Sequence, residues 1–292
     1  MFFNSQNIID EKIVQTFSKE ILENVNPEKL DYLGINISSY PEKDFGFKIY
    51  YSSKYSRALY LKAKEIPLIE FLLENKAIKF FTYVMDGKTA EYSRYDAGLM
   101  LQPNEKMELI FSYLKENCPF YKKYEKEILE LSKMKVTNAG NKDYGSLYFI
   151  ALLDGGKTLK CHWYNRSCLR DIATLDNKYY FNFIENSSAK GLKRILPIAK
   201  KAIEIGFGYM WVEGIDYNEF GAQKHKIYIY GTENTYETLA KTYAGNEVLE
   251  EKLKTIQEWH NLHPEFCCDG FALGEDANNN STINFYYRLP KR

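Results

Sequence analysis

Residues 190–230 contain the stretch that decides the fold: KGLKRILPIAKKAIEIGFGYMWVEGIDYNEFGAQKHKIYIY. Its first part, Lys190 to Ile205, has the apolar spacing of a helix. Two segments rich in β-branched and aromatic residues follow, Gly208 to Asp216 and Gln223 to Tyr230, with a polar loop between them that contains Asn and Gly. The stretch therefore predicts a helix that leads into a β-hairpin.

The same unit is repeated along the whole chain. The other helical segments are Ile8 to Val25, Ser56 to Asn75, Asn104 to Lys133 with a break at Pro119, and Thr235 to Trp259 with an interruption at Gly245-Asn246. Each helical segment precedes a predicted hairpin, and the hairpins are residues 32–51, 79–95, 144–164, 208–230 and 267–289. Tyr179 to Ile184 is less regular. A supersecondary unit repeated in this way indicates a repeat or closed architecture.

About ten consecutive antiparallel strands are predicted to close into a barrel, because closure removes the exposed edges of the sheet. The helices would then pack around the outside, which gives an α+β fold built from five αββ repeats. A barrel of ten strands is wider than the eight-stranded barrel that side chains can fill, so a central cavity is expected. No Pro/Gly-rich linker divides the chain, which indicates a single domain, residues 1–292.

Charge and cysteine content exclude several classes of protein. Lys+Arg and Asp+Glu both number 39, so no net charge favours nucleic acid or an anionic membrane as a partner. The five Cys form no C-x-x-C pair, which fits a reducing cytosol better than a disulfide framework. The N-terminus does not resemble a signal peptide, and no segment approaches the roughly 18 apolar residues of a membrane span. A cytoplasmic, monomeric protein is expected.

The second strand of every predicted hairpin carries a basic residue and a tyrosine on one face, since residues i and i+2 share a face. These faces hold Lys48 and Tyr50; Tyr92 and Arg94; Lys160, His162 and Tyr164; Lys224, Lys226, Tyr228 and Tyr230; and Asn284, Tyr286 and Arg288. If the helices cover the opposite, mostly apolar face, this basic face lines the barrel lumen. Two alternatives remain: the basic face could meet solvent, as in a one-sided sheet, or tyrosines could fill the barrel and leave the lysines at its rims.

Cations inside a lumen are costly to desolvate unless an anion meets them. Several converging cations suit a diphosphate, and neighbouring tyrosine rings could hold a carbocation and exclude water. No P-loop, G-x-G-x-x-G, H-E-x-x-H or G-x-S-x-G motif is present, and no Asp-rich segment of the kind that binds magnesium–diphosphate. The cations themselves must then neutralise the anion. His162 could instead ligate a metal, but without a spaced partner a packing role is the simpler interpretation.

These residues resemble the ABBA aromatic prenyltransferases, a family named for its αββα units around a ten-stranded barrel. The resemblance rests on the architecture and on short strand motifs, chiefly Lys48-Ile49-Tyr50 and Lys224-His225-Lys226-Ile227-Tyr228. Three further motifs are similar to the bacterial branch that includes the cyanobactin peptide prenyltransferases: Gly34-Ile35-Asn36, Gly214-Ile215-Asp216 and Phe285-Tyr286-Tyr287-Arg288. The second hairpin departs from the pattern, because its tyrosine precedes its arginine.

The resemblance implies transfer of a prenyl group from dimethylallyl or geranyl diphosphate to an electron-rich aromatic acceptor, either a small molecule or a peptide side chain. It implies that the diphosphate is bound by Lys48, Arg94, Lys160, Lys224, Lys226 and Arg288. It also implies that the allyl cation is shielded by Tyr50, Tyr164, Tyr228 and Tyr286.

A base must then remove a proton from the acceptor. The candidates for this role are Glu213, Asp216 and Glu275. No cofactor is required, although magnesium could assist the diphosphate. The second hypothesis is a non-catalytic barrel that binds an anionic or amphipathic ligand.

Overall fold

The computed structural model describes residues 32–43, 45–52, 60–61, 63–78, 80–86, 93–99, 104–133, 147–164, 177–232, 234–264 and 266–288. The strands are β1 Tyr32–Ser38, β2 Gly46–Ser52, β3 Phe80–Asp86, β4 Ser93–Gly98, β5 Leu147–Leu153, β6 Thr158–Tyr164, β7 Tyr209–Tyr217, β8 Ala222–Tyr230, β9 Cys267–Glu275 and β10 Ser281–Arg288. The helices are α1 Pro67–Glu74, α2 Asn104–Asn117, α3 Tyr121–Ser132, α4 Asn177–Asn186, α5 Lys190–Gly206, α6 Thr235–Thr242 and α7 Glu247–Leu262. The helix predicted for Ile8 to Val25 lies outside the described residues.

The sheet is antiparallel throughout, which confirms the predicted α+β class. Each strand is hydrogen-bonded to two neighbours in the order β1-β10-β9-β8-β7-β6-β5-β4-β3-β2, and the order closes on itself. The pairing is uneven around this ring. Strand β1 meets β10 along six residue pairs, from Leu33↔Tyr287 to Ser38↔Thr282. Strands β4 and β5 share only Ala97↔Ile150 and Gly98↔Phe149, so this seam is the narrowest one among the described residues.

Among the described residues, the connections before β5, β7 and β9 each hold two helices. The predicted breaks at Pro119 and at Gly245-Asn246 separate α2 from α3 and α6 from α7. The stretch around Tyr180 and Ile184, predicted as irregular, forms α4, because these two residues share a face and are both fully buried. No helix in the described ranges is long and apolar enough to cross a membrane.

The outward face of the barrel is apolar and is covered by the helices. Trp163 of β6 donates a hydrogen bond from Nε1 to Oγ of Ser132 in α3, at 3.0 Å. Tyr236 of α6 stacks on Phe285 of β10 with ring centroids 5.9 Å apart, and its hydroxyl group is hydrogen-bonded to that of Tyr287 at 2.7 Å. Because the helices occupy this face, the opposite face of the strands, which carries the lysines and tyrosines, is the inner one.

Helix α5 lies directly on strand β8 because Gly191 has no side chain. A Cβ atom at this position would lie 2.0 Å from Nε2 of His225, whose ring is buried on the outward face. Burial lowers the pKa of His225 from 6.5 to about 4; the charge of Arg194 acts in the same direction and Asp216 opposes it. The contact therefore requires both a glycine in the helix and a neutral imidazole beneath it.

The contact between Gly191 and His225 predicts a reversal of sign in a double-mutant cycle. Gly191→Ala alone should destabilise the protein by about 1–3 kcal/mol, because the added methyl group overlaps a buried ring. In a His225→Ala background the same change should be neutral or stabilising by up to about 1 kcal/mol, because alanine favours a helix over glycine. Urea unfolding of the four proteins measures both values. An equal cost in the two backgrounds would contradict the contact.

The lowered pKa of His225 predicts a loss of stability in acid. Between pH 6.5 and 4 the unfolded chain binds a proton at this residue and the folded protein does not, so stability falls as the pH is lowered through this window. The loss should approach about 3 kcal/mol near pH 4. His225→Gln should remove this part of the pH dependence, as measured by urea unfolding from pH 7.5 to 4. Parallel curves for the two proteins would show that His225 does not titrate as described.

Candidate active site

A row of aromatic rings crosses the interior of the barrel. Ring centroids are 5.8 Å apart for Tyr50 and Tyr286, 5.4 Å apart for Tyr286 and Tyr228, and 5.5 Å apart for Tyr228 and His162. The four residues come from β2, β10, β8 and β6, and we call them the aromatic layer. Its tyrosines are only half-buried, whereas their outward neighbours Ile227 and Phe285 are fully buried. This partial exposure of the tyrosines argues against a barrel that its own side chains fill.

A second layer lies two residues earlier on the same four strands. Even-numbered strands of an antiparallel ring all run in one direction, so each residue at i−2 lies on the same face and nearer the hairpin turns. These residues are Lys48, Asn284, Lys226 and Lys160, and we call them the cation layer. Three of the predicted diphosphate ligands are thereby brought together directly beside the aromatic rings.

The charges of the cation layer act on one another. Burial lowers the pKa of Lys226 well below its ordinary value, and the neighbouring charge of Lys48 lowers it further. Lys224 and Lys160 act in the same direction, and only Asp216 opposes them. Lys224 lies one further step toward the turns and is exposed. Among the described residues of this cluster, positive charge therefore exceeds negative charge, and a bound anion would balance the excess.

Small residues on the odd-numbered strands make room for the two layers. A Cβ atom on Gly34 of β1 would lie 3.0 Å from the ring of Tyr50, and one on Gly214 of β7 would lie 2.8 Å from Cδ2 of His162. On β9 the inward positions are occupied by Gly270, Ala272 and Gly274. The large side chains of alternate strands can therefore meet across the small strand between them, as in other barrels whose interior is arranged in layers.

Lys160 has a partner that was not predicted from the sequence. Its Nζ lies 2.5 Å from Oδ2 of Asp96 in β4, and both residues are buried. Asp96 follows Arg94 by two residues, so strand alternation alone would have placed it on the same face. Because the pair is locally neutral, the charge of Lys160 is already matched before any ligand binds.

Asn284 brings a neutral hydrogen-bond donor into the cation layer. Its Oδ1 accepts a hydrogen bond from Nδ2 of Asn36 at 2.9 Å, and the residue is 5% exposed. Its own Nδ2 is buried and has no hydrogen-bond partner among the described residues. An unmade buried bond costs about 1–3 kcal/mol, and most such groups in native proteins are satisfied. The amide therefore marks a place for an acceptor atom beside the lysines.

Arg288 lies on the other side of the aromatic layer, two residues beyond Tyr286. Its Nε and Nη2 donate to Oδ2 of Asp269 at 2.9 Å and 2.5 Å. Tyr32 also belongs to this group: burial, followed by the charge of Asp269, raises its pKa to about 12. The sequence predicts Arg288 as a diphosphate ligand together with the lysines, but the structure pairs it with a carboxylate at the far end of the lumen.

Two of the three candidate bases face the helices. Glu213 is opposite Trp163 on one side and Ile227 on the other, and all three side chains are fully buried on the outward face. Glu275 accepts a hydrogen bond from Nε of Arg194 in α5, at 2.9 Å. Neither carboxylate is brought to the lumen. Glu213 shares the outward face because the strand register places it opposite Ile227, which is fully buried on that face.

Asp216 is the one candidate base on the inner face, where it is opposite Lys160 and Lys224. Its carboxylate therefore belongs with the cations. The side chains of Arg94 and Tyr164 lie outside the described part of the structure, as does all of Tyr92. In β6 the position in the aromatic layer is held by His162, which the sequence does not predict as part of the shield.

No metal site accompanies these residues in the part of the chain that the structure describes. No group of three or more His, Cys, Asp and Glu side chains could hold a metal ion there.

Comparison with known proteins identifies the fold. No protein family matches the chain by its sequence pattern, and no curated protein is significantly similar to it in sequence. Among solved structures, 6-dimethylallyltryptophan synthase from Micromonospora olivasterospora, in complex with DMASPP and Trp, matches with a TM-score of 0.61 at 10% identity, over 98% of each chain.

Two further matches are of the same kind. AnaPT from Neosartorya fischeri has a TM-score of 0.57 at 11% identity, over 90% of this chain and 78% of its own. 5-Dimethylallyl tryptophan synthase from Streptomyces coelicolor has a TM-score of 0.57 at 8% identity, over 100% of this chain and 90% of its own. At such low identity the likeness concerns the fold, and the chain has the fold of the ABBA-type aromatic prenyltransferases.

Proposed function

We propose that the protein transfers a prenyl group from an allylic diphosphate to an electron-rich aromatic acceptor. The observation that supports this most directly is the stacking of the cation layer on the aromatic layer. Ionisation of an allylic diphosphate creates an anion and a carbocation that separate by only a few ångströms. The two layers offer a matching surface to each product of this ionisation.

In this mechanism Lys48 and Lys226 neutralise the diphosphate, and Asn284 donates a hydrogen bond to one of its oxygen atoms. The C–O bond breaks, and its electron pair leaves with the diphosphate. The allyl cation then lies against the rings of Tyr50, Tyr228 and Tyr286, which exclude water. The acceptor attacks the cation from the open side of the rings and afterwards loses a proton.

The neighbouring structures support the choice of substrates. The Micromonospora and Streptomyces enzymes were crystallised with DMASPP and Trp, so this fold accommodates an allylic diphosphate group beside an aromatic amino acid. We therefore propose dimethylallyl or geranyl diphosphate as donor, and an indole or phenol as acceptor. Incubation of both donors with tryptophan, tyrosine and peptides containing them, followed by mass spectrometry, tests the proposal. The absence of any prenylated product would count against it.

Binding of the leaving group predicts a thermal shift. Pyrophosphate at about 100 times its Kd should stabilise the protein by roughly 2.7 kcal/mol, and a neutral prenyl alcohol should do much less. Asn284→Asp keeps the acceptor for Asn36 but replaces the donor with a negative charge. This variant should fold, because its carboxylate lies among lysines, yet it should bind pyrophosphate at least about tenfold more weakly, or about 1.4 kcal/mol.

Asn278→Asp is the matched control, since it adds the same charge on the exposed turn between β9 and β10. Its affinity for pyrophosphate should equal that of the wild type. If Asn284→Asp bound pyrophosphate as tightly as the wild type, the amide of Asn284 would not be part of the anion site. Equal stabilisation of the wild type by prenyl alcohol and pyrophosphate would favour a barrel that binds apolar ligands without catalysis.

Alanine substitutions of three successive residues of β8 are predicted to impair three different properties: diphosphate binding, stability and the choice of product. Lys226→Ala should weaken diphosphate binding by about 1.5–3 kcal/mol. Tyr228→Ala should largely spare binding but admit water to the cation, so prenyl alcohol should accumulate in place of prenylated product. Ile227→Ala should cost about 2–5 kcal/mol of stability, because its side chain is fully buried outside the lumen.

Isothermal titration with pyrophosphate, product analysis and urea unfolding measure the three effects separately. If Lys226→Ala and Tyr228→Ala changed only the stability, with full activity per folded molecule, the layers would be structural.

A further inference from the structure

His162 occupies one end of the aromatic layer. Its ring centroid lies 5.5 Å from that of Tyr228, and it meets the ring of Phe149 edge-on at 6.1 Å. The residues on either side, Cys161 and Trp163, are fully buried on the outward face, so His162 belongs to the inner face. Of the four side chains in this layer, His162 is the only one that offers a basic nitrogen near neutral pH.

The imidazole is held in this place by the strand beside it. Gly214 separates His162 from Lys226 in register, and a Cβ atom at position 214 would lie 2.9 Å from Nε2 of His162. The missing side chain lets the ring lie over β7, beside the position of Lys226. His162 therefore lies in the aromatic layer, next to the cation layer in which the leaving group would remain.

The proposed reaction needs a base in this part of the lumen. When a ring carbon of the acceptor attacks the allyl cation, it becomes tetrahedral and retains its hydrogen. A base must accept that proton, and the C–H electron pair then returns to the ring and restores aromaticity. Glu213 and Glu275 lie on the outward face, and Asp216 is opposite two lysines of the anion site. None of the three carboxylates lies in the aromatic layer, where the new bond would form.

We infer that His162 is the catalytic base that accepts the acceptor's proton on an imidazole nitrogen. The inference rests on the proposed prenyl transfer and adds to it the residue that completes the reaction. The same side chain also forms one end of the cation shield. Bond formation and proton loss thus take place in one layer, while the leaving diphosphate stays in the next.

Two substitutions separate the base from the shield. His162→Phe keeps an aromatic wall of similar size without a basic nitrogen, and His162→Gln keeps polarity without a group that titrates near neutral pH. Both should lower the formation of prenylated tryptophan from dimethylallyl diphosphate by about 10²–10⁴-fold, the usual contribution of a positioned base. Both should still release prenyl alcohol, because ionisation precedes proton loss, and both should bind pyrophosphate as the wild type does.

The pH profile gives a readout that a structural role would not change. In the wild type, product formation should fall in acid as the imidazole becomes protonated, and this limb should be absent from the residual activity of both variants. His225→Gln is the matched control, since His225 is a second buried barrel histidine but lies on the outward face. Its product formation per folded molecule and its pH profile should equal those of the wild type.

If His162→Phe formed prenylated tryptophan as fast as the wild type, or if its product formation fell in acid as that of the wild type does, the inference would be overturned while the proposed function remained. If the wild type formed neither prenylated tryptophan, prenylated peptide nor prenyl alcohol, the proposed function and this inference would fall together. Loss of pyrophosphate binding in both variants would assign His162 to the anion site and would also overturn its role as base.

Discussion

The structure depends on one geometric constraint: a closed strand ring has an inner and an outer face, and helices can cover only the outer one. Side chains alternate between these faces with a period of two residues. Ile227 therefore packs beneath the helices, while Lys226 and Tyr228 on either side of it point inward. Asn284 and His162 are likewise held inside the barrel by fully buried apolar neighbours on the outer face.

This constraint allows a cluster of positive charge that would otherwise be expelled to the surface. Part of the cluster is compensated internally, since Asp96 pairs with Lys160. The pKa of Lys226 is lowered first by burial and then by the neighbouring charge of Lys48, while Asp216 acts in the opposite direction. Burial of Lys226 and of the unpartnered amide of Asn284 is costly to stability, and the proposed binding of an anion would offset this cost.

The order of the layers makes the two ends of the lumen differ in charge. Exposed Lys224 lies nearest the turns, followed by the cation layer and the aromatic layer, and Arg288 with Asp269 lies beyond. A diphosphate that enters this lumen would be drawn to one end only, because the arginine at the other end is already matched by a carboxylate. Polarity along the barrel axis thus fixes which side of the tyrosines would face the leaving group and which would remain open to an acceptor.

The sequence alone determined the alternation of helices and hairpins, and it placed Lys48 with Tyr50, and Lys226 with Tyr228, on one face of their strands, because both follow from periodicities of a few residues. The helix contacts of the tertiary structure decided that this face is the inner one. The sequence could not determine which residues of different strands lie at the same height along the barrel axis. That depends on strand register and on bulges, which are set by pairings between residues far apart in the chain. Only the tertiary structure placed His162 rather than Tyr164 beside Tyr228, joined Asp96 to Lys160, turned Glu213 toward the helices and separated Arg288 from the lysines.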